Sequence, residues 1–155
     1  MNSPTWLKGI RAAIVAPEIW EIRIAGYGPA DVGPYSVATR YAATLRGSRP
    51  SGQRTSRPYV DNVPLEAHHI VGREHLSHTR QLYDDASAPA VIITADMHRR
   101  LISPRITAEQ NYLGGRPRDG RALITAKEAL ALYEEVYTRH TPFVELFYIA
   151  RNVFT

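Results

Sequence analysis

Two kinds of hydrophobic periodicity divide the chain. In its last third, Ala129, Leu130, Tyr133, Val136 and Tyr137 recur at helical spacing behind Thr125-Ala-Lys-Glu128, which has capping-box form. The spacing predicts a helix over 125–139. Thr141-Pro142 opens another over 142–153, striped by Phe143, Leu146, Phe147 and Ala150. Both read as core scaffold. Upstream the pattern changes to short apolar runs. Ala90–Thr94 is β-branched and bounded by Pro89, and Pro64–Val71 is partly apolar and ends at Gly72, so each predicts a strand. Thr94 is placed to cap a helix beginning at Ala95, with Asp96 in its first turn and a stop near Ser103–Pro104. Thr107–Gln110 again has capping-box form and predicts a short helical turn before Gly114–Gly115. The centre of the chain therefore reads strand, long loop, strand, helix.

The first 46 residues mix apolar and small side chains. Ile14–Val15, Ile19–Trp20 and Ile22–Ile24 fit a short strand or a helix around Pro17, and Ser36–Arg46 predicts a helix. Gly47–Pro58, rich in Gly, Ser, Arg and Pro, has the composition of an exposed connector. The expected division is an N-terminal appendage and connector over 1–58 and a compact α+β domain over 59–155. At 155 residues the chain has the size of one domain with an appendage. No window approaches the roughly 18 apolar residues of a membrane span, and Met1–Lys8 lacks the pattern of a secretory signal. Cysteine is absent, which excludes thiolate zinc sites, disulfides and a cysteine nucleophile. Metal chemistry would have to use His, Asp or Glu.

Charge adds a partner class. The net charge is +4, and 17 of the 19 cations are Arg, whose guanidinium forks suit phosphate. They cluster at Arg40, Arg46, Arg49, Arg54 and Arg57, and again at Arg99, Arg100, Arg105, Arg116, Arg118 and Arg121. A basic surface of this kind attracts nucleic acid.

The candidate chemistry lies in the histidines. Leu65-Glu66-Ala67-His68-His69-Ile70-Val71 puts a His-His pair inside an apolar strand, and alternation places Glu66 and His68 on one face with His69 offset. His98 stands on the first turn of the helix after the second strand. Phosphodiester hydrolysis needs a base active near neutral pH, and imidazole, with an ordinary pKa near 6.5, is suited to it. It also needs positive charge at the phosphate, which a divalent cation held by two other side chains would supply. His75 and His78 read as residues of a solvated loop, His140 as a cation capping a helix end, and Tyr83, Asp84 and Asp85 as surface loop. Trp6, Trp20 and the tyrosines read as packing.

Glu66-Ala67-His68-His69-Ile70-Val71, followed by Ile92-Ile93-Thr94-Ala95-Asp96-Met97-His98 with His98 29 residues after His69, resembles the His-Me finger (ββα-metal, HNH-like) nucleases. It is most similar to the AHH-type nuclease domains at the C-termini of bacterial polymorphic toxins and to the nuclease colicins. The likeness covers about residues 64–103. It implies a ββα-metal core with additional helices at both ends, His68 and His98 as metal ligands, His69 as general base, and Glu66 as an acidic residue orienting an Arg or a ligand imidazole. Arg99 and Arg100 are candidate phosphate contacts from charge and position, with Arg73 and Arg105 beside them. The chain departs from the pattern at two places. Pro89 stands where the Asn of HNH motifs is usual, and Ile102 where colicins have a third histidine ligand.

The resemblance implies a metal-dependent endonuclease acting on nucleic acid, DNA before RNA. One divalent ion would serve, Mg²⁺ or Mn²⁺ in turnover, with Zn²⁺ or Ni²⁺ also able to occupy the site. It further implies a bacterial toxin domain, secreted or delivered as an antibacterial effector, acting in the target-cell cytoplasm and neutralised by a cognate immunity protein. The alternatives are a phage or mobile-element HNH endonuclease and a non-catalytic, zinc-stabilised nucleic-acid-binding domain.

Overall fold

The structure, a computed structural model, describes residues 3–47, 64–79, 83–112 and 124–155. The expected connector lies outside them from residue 48 onward, as do Gly114–Gly115 and Arg49, Arg54, Arg57, Arg116, Arg118 and Arg121. The chain is α+β. Strands β1 (Ala12–Ala16), β2 (Ile19–Ile24), β3 (Gly28–Pro34), β4 (Leu65–His69) and β5 (Pro89–Thr94) form one antiparallel sheet in the order β1-β2-β3-β5-β4. Helix α1 (Tyr35–Gly47) lies between β3 and β4; α2 (Ser103–Tyr112), α3 (Ala126–Glu135) and α4 (Val144–Phe154) follow β5. No helix among the described residues is long and apolar enough to cross a membrane.

The ambiguous N-terminal segment is the β1–β2 hairpin, with Pro17 and Glu18 in its turn. Proline disrupts a helix interior but is compatible with a turn, and Glu18 takes a left-handed φ of 60° there. The expected boundary at residue 58 does not separate two units. Strand β3 pairs directly with β5, Val32 opposite Val91 and Gly33 opposite Ala90, and Trp6, Trp20 and Val32 share a core cluster with Val91, Tyr133 and Tyr137. An alternating apolar pattern does not name its pairing partner, so the sequence could not join the two halves.

The sheet is covered on both faces. Ile19, Leu65, Ala90 and Ile92 meet Ala38 and Ala42 of α1 on one side. On the other, Ile22, Ile24, Val32, Val91 and Ile93 meet the aromatic stripes of α3 and α4. Helix α3 starts as the sequence predicts, from a complete Thr125–Glu128 capping box, whereas α4 starts at Val144, two residues after the expected Pro142. The helix after β5 differs from expectation. Thr94 caps it, its Oγ1 accepting from the Met97 N–H at 3.1 Å, but the helical run continues past Pro104 to Tyr112. A wide π turn over Met97–Ile102, closed by the Ser103 N–H on the His98 carbonyl, precedes the proline. Proline lacks the N–H that an α ladder would use and crowds the preceding turn; this change of ladder accompanies a helix that continues through it.

Buried polar side chains tie the layers together. The Tyr133 phenol accepts the Gly72 N–H at 2.7 Å and donates to His75 Nδ1. His75 is therefore a fully buried core residue rather than part of a solvated loop. Burial, followed by the charge of Glu74, raises the Tyr133 pKa far above its ordinary value, and burial does the same to Tyr137. A raised phenol pKa favours the folded state fully below the unfolded value of about 10. That contribution is lost as pH rises further, because the unfolded chain then ionises first. Tyr133→Phe is expected to cost about 1–3 kcal/mol at neutral pH by leaving buried groups unpartnered. In thermal melts between pH 8 and 11 the wild type should lose stability above about pH 10, and the variant should lose less over the same range.

Candidate functional site

Strand β4 is the edge of the sheet, and the site depends on that position. Its side chains alternate without a bulge, so Glu66 and His68 point toward the α3–α4 layer and His69 toward α1. In a central strand the two faces would be separated by neighbours. At an edge, side chains from both faces can border one opening. A cleft of about 390 Å³ does so, lined by Tyr35, His68, His69, Gly72, Arg73, Glu74 and His98 together with Ser103, Ile106 and Thr107.

Each of the three imidazoles has one nitrogen engaged, and the partner fixes which nitrogen carries the proton. Tyr137 Oη donates to the Ile70 carbonyl at 2.7 Å. Its single proton is thereby committed, so the contact at 2.8 Å to His68 Nε2 is donated by the imidazole. The lone pair of His68 is left at Nδ1. His69 Nε2 lies 3.0 Å from the Asp85 carbonyl, which only accepts, so the lone pair is at Nδ1 here too. His98 Nδ1 donates to Glu66 Oε1 at 3.1 Å, leaving the lone pair at Nε2.

The supports are themselves built in. His69 stacks on Tyr35, the first residue of α1, with ring centres 3.9 Å apart and planes 9° from parallel. Asp84 and Ser87 cap each other's backbone. The Tyr35 and Ser36 N–H groups bind the Ala88 and Ala86 carbonyls, pinning this turn to α1 and the Asp85 carbonyl beneath His69. Tyr83, Asp84 and Asp85 thus include one positioning group, and the backbone supplies it. Glu66 divides its oxygens between His98 and Arg99, whose Nη2 donates to Oε2 at 2.8 Å. Partial burial alone would raise its pKa, but the hydrogen bonds and charges of Arg99 and His98 outweigh it and hold the carboxyl below its ordinary value. Burial pushes His68 well below its ordinary pKa, with His98 and His69 acting in the same direction, so the ring is neutral at pH 7.

A neutral imidazole with a free lone pair is what a metal ligand requires. The His68 and His98 ring centres are 4.9 Å apart at 59°. Two imidazoles on one ion, with bonds of about 2.0–2.1 Å, have ring centres roughly 5 Å apart, which is the spacing of this pair. Ile102, the last residue of the π turn and the position where colicins have a third histidine, is fully buried in the core.

Of the cationic candidates, Arg73 lines the cleft and Arg99 is joined to it through Glu66, the partner of His98, whereas Arg100 and Arg105 are not among its lining residues. Arg73 pairs with Asp85 at 3.1 Å, Arg99 with Glu66 and Arg100 with Asp96 at 2.9 Å, all three at least 70% exposed. Exposed pairs of this kind are weak enough for an incoming phosphate to displace. Arg105 is exposed on α2.

Sequence reasoning missed Tyr137 as a site residue, reading it only as part of an apolar stripe. The available signal was a pair of tyrosines four residues apart on one buried face, since a buried hydroxyl needs a partner. It also missed Glu109, Glu135 and His140. Among the described residues these form the one group of three ligand-type side chains close enough to hold a metal ion. His140 is not simply a cap, as its ring meets both carboxylates.

A lowered carboxylate pKa contributes stability that is full above the unfolded value and is lost as pH falls through the folded one. Glu66→Gln is therefore expected to lower the melting temperature at pH 7 and to flatten the decline of stability below about pH 4.5, checked by melts from pH 7 to pH 3.

No family model, no curated protein and no solved structure matches the chain, so any function assigned to it rests on these residues and their geometry.

Proposed function

We propose that the protein is a metal-dependent endonuclease with a ββα-metal arrangement formed by β4, β5 and the helix that carries His98. The observation that supports it most is the convergence of three imidazoles on one cleft, each holding its proton away on a dedicated partner.

His69 is the general base. Its Nδ1 takes a proton from water, and the Asp85 carbonyl, already bound to Nε2–H, favours the imidazolium that results. The stack on Tyr35 keeps the ring from turning. The water oxygen attacks phosphorus in line and the P–O3′ bond breaks. When bound by His68 and His98, a divalent cation (Mg²⁺ or Mn²⁺ in turnover, Zn²⁺ or Ni²⁺ as other occupants) would supply Lewis-acid polarisation of the phosphate and neutralise charge on the leaving oxygen. Glu66 holds His98 in its ligating tautomer and Tyr137 does the same for His68. Arg73, Arg99, Arg100 and Arg105 hold the backbone, so recognition is mainly of phosphate, with DNA favoured. By its resemblance to toxin nucleases, the proposed setting is a delivered antibacterial effector restrained by an immunity protein.

Supercoiled plasmid and total RNA, incubated with Mg²⁺, Mn²⁺, Zn²⁺ or Ni²⁺, test the reading. Cutting is expected to stop in EDTA, to fall by about 10²-fold or more in His69→Ala, and to weaken steeply between 50 and 200 mM salt. Undiminished cutting in EDTA or by His69→Ala contradicts the proposal. Tight DNA binding without cutting in every metal would favour the non-catalytic alternative.

A further inference from the structure

Outside the cleft, one side-chain cluster has ligand chemistry that the proposed hydrolysis does not use. Glu109 projects from α2, Glu135 ends α3, and His140 ends the π turn Val136–His140 that continues it. One ligand atom from each lies within 4.8 Å of the other two. His140 Nε2 is 3.2 Å from Glu135 Oε1 and 3.7 Å from Glu109 Oε1.

The π turn accounts for the meeting. In an α-helix of 3.6 residues per turn, positions five apart diverge by about 140°. The wider i→i+5 turn brings them back to one face, here Glu135 and His140. Bonds of about 2.0–2.2 Å to a tetrahedral ion put neighbouring ligand atoms roughly 3.3–3.5 Å apart, close to the two separations observed. Arg139 binds the outer Glu135 oxygen, Oε2, at 3.4 Å and leaves Oε1 toward His140, as supporting residues do at metal sites. The three side chains are 21–31% exposed, shielded but reachable. Two carboxylates face the imidazole, and a divalent cation would replace the proton shared between His140 Nε2 and Glu135 Oε1. One nitrogen and two oxygens suit Zn²⁺ with water in a fourth position, and are too few for Ca²⁺.

We propose that Glu109, Glu135 and His140 form a Zn²⁺ site that staples α2 to α3. Helix α2 carries Ser103, Ile106 and Thr107 on the cleft wall, so the staple fixes that wall without touching the reacting atoms. It does not depend on the hydrolytic reading.

The test is titration of the full chain with ZnCl₂, read by calorimetry and thermal melting. Using His98→Ala removes the cleft pair. In that background one Zn²⁺ per chain is expected to bind and raise the melting temperature. Adding Glu109→Gln or His140→Gln should weaken binding at least tenfold and erase the shift, with metal-free melting little changed. If His98→Ala does not fold, the same two substitutions in the wild type should remove one bound Zn²⁺. Zinc binding unaltered by both substitutions, or no zinc bound in the His98→Ala background, overturns the staple.

Discussion

A phenol has one proton to give. At Tyr137 that proton goes to the Ile70 carbonyl, and the oxygen is left to accept from His68. This small constraint orders the site. A buried hydroxyl without partners costs about as much as a lost hydrogen bond, so the core cannot accommodate Tyr137 without fixing β4 just beyond its last residue and the ring of His68. Packing and chemistry are satisfied by the same contact. Glu66 plays the corresponding part for His98, and a main-chain carbonyl for His69.

The arrangement also places charge. Burial keeps His68 neutral, while Glu66 is held ionised between an imidazole and a guanidinium. The cleft therefore presents nitrogen lone pairs beside the exposed Arg73, a combination suited to a cation and a phosphate together. The edge position of β4 is what allows both faces of the strand to contribute. Pairing of a further strand there would close the opening.

Much of this was legible in the residues. The strand at 65–69, the strand at 89–94, the Thr94 cap and the Thr125–Glu128 capping box all rest on short-range patterns, and alternation alone put Glu66 and His68 on one face. What escaped depends on long-range partners. The β3–β5 pairing joins segments separated by more than fifty residues, and no local signal distinguishes that sheet from an appendage. His75 reads as polar loop because its partner, Tyr133, is 58 positions away. The helix past Pro104 and the Glu135–His140 pair both follow from π turns, whose wider ladder the 3.6-residue period does not anticipate.

The central claim is that His68 and His98 offer lone pairs from opposite ring nitrogens, Nδ1 and Nε2, to one shared cation. Long-range ¹H–¹⁵N spectra of the imidazoles, recorded at pH 7 before and after adding Zn²⁺, address it most directly. The account predicts His68 protonated at Nε2 and His98 at Nδ1, with the remaining nitrogen of each shifting together on metal addition. Protonation of His68 at Nδ1, or a metal response confined to one of the two rings, would contradict it.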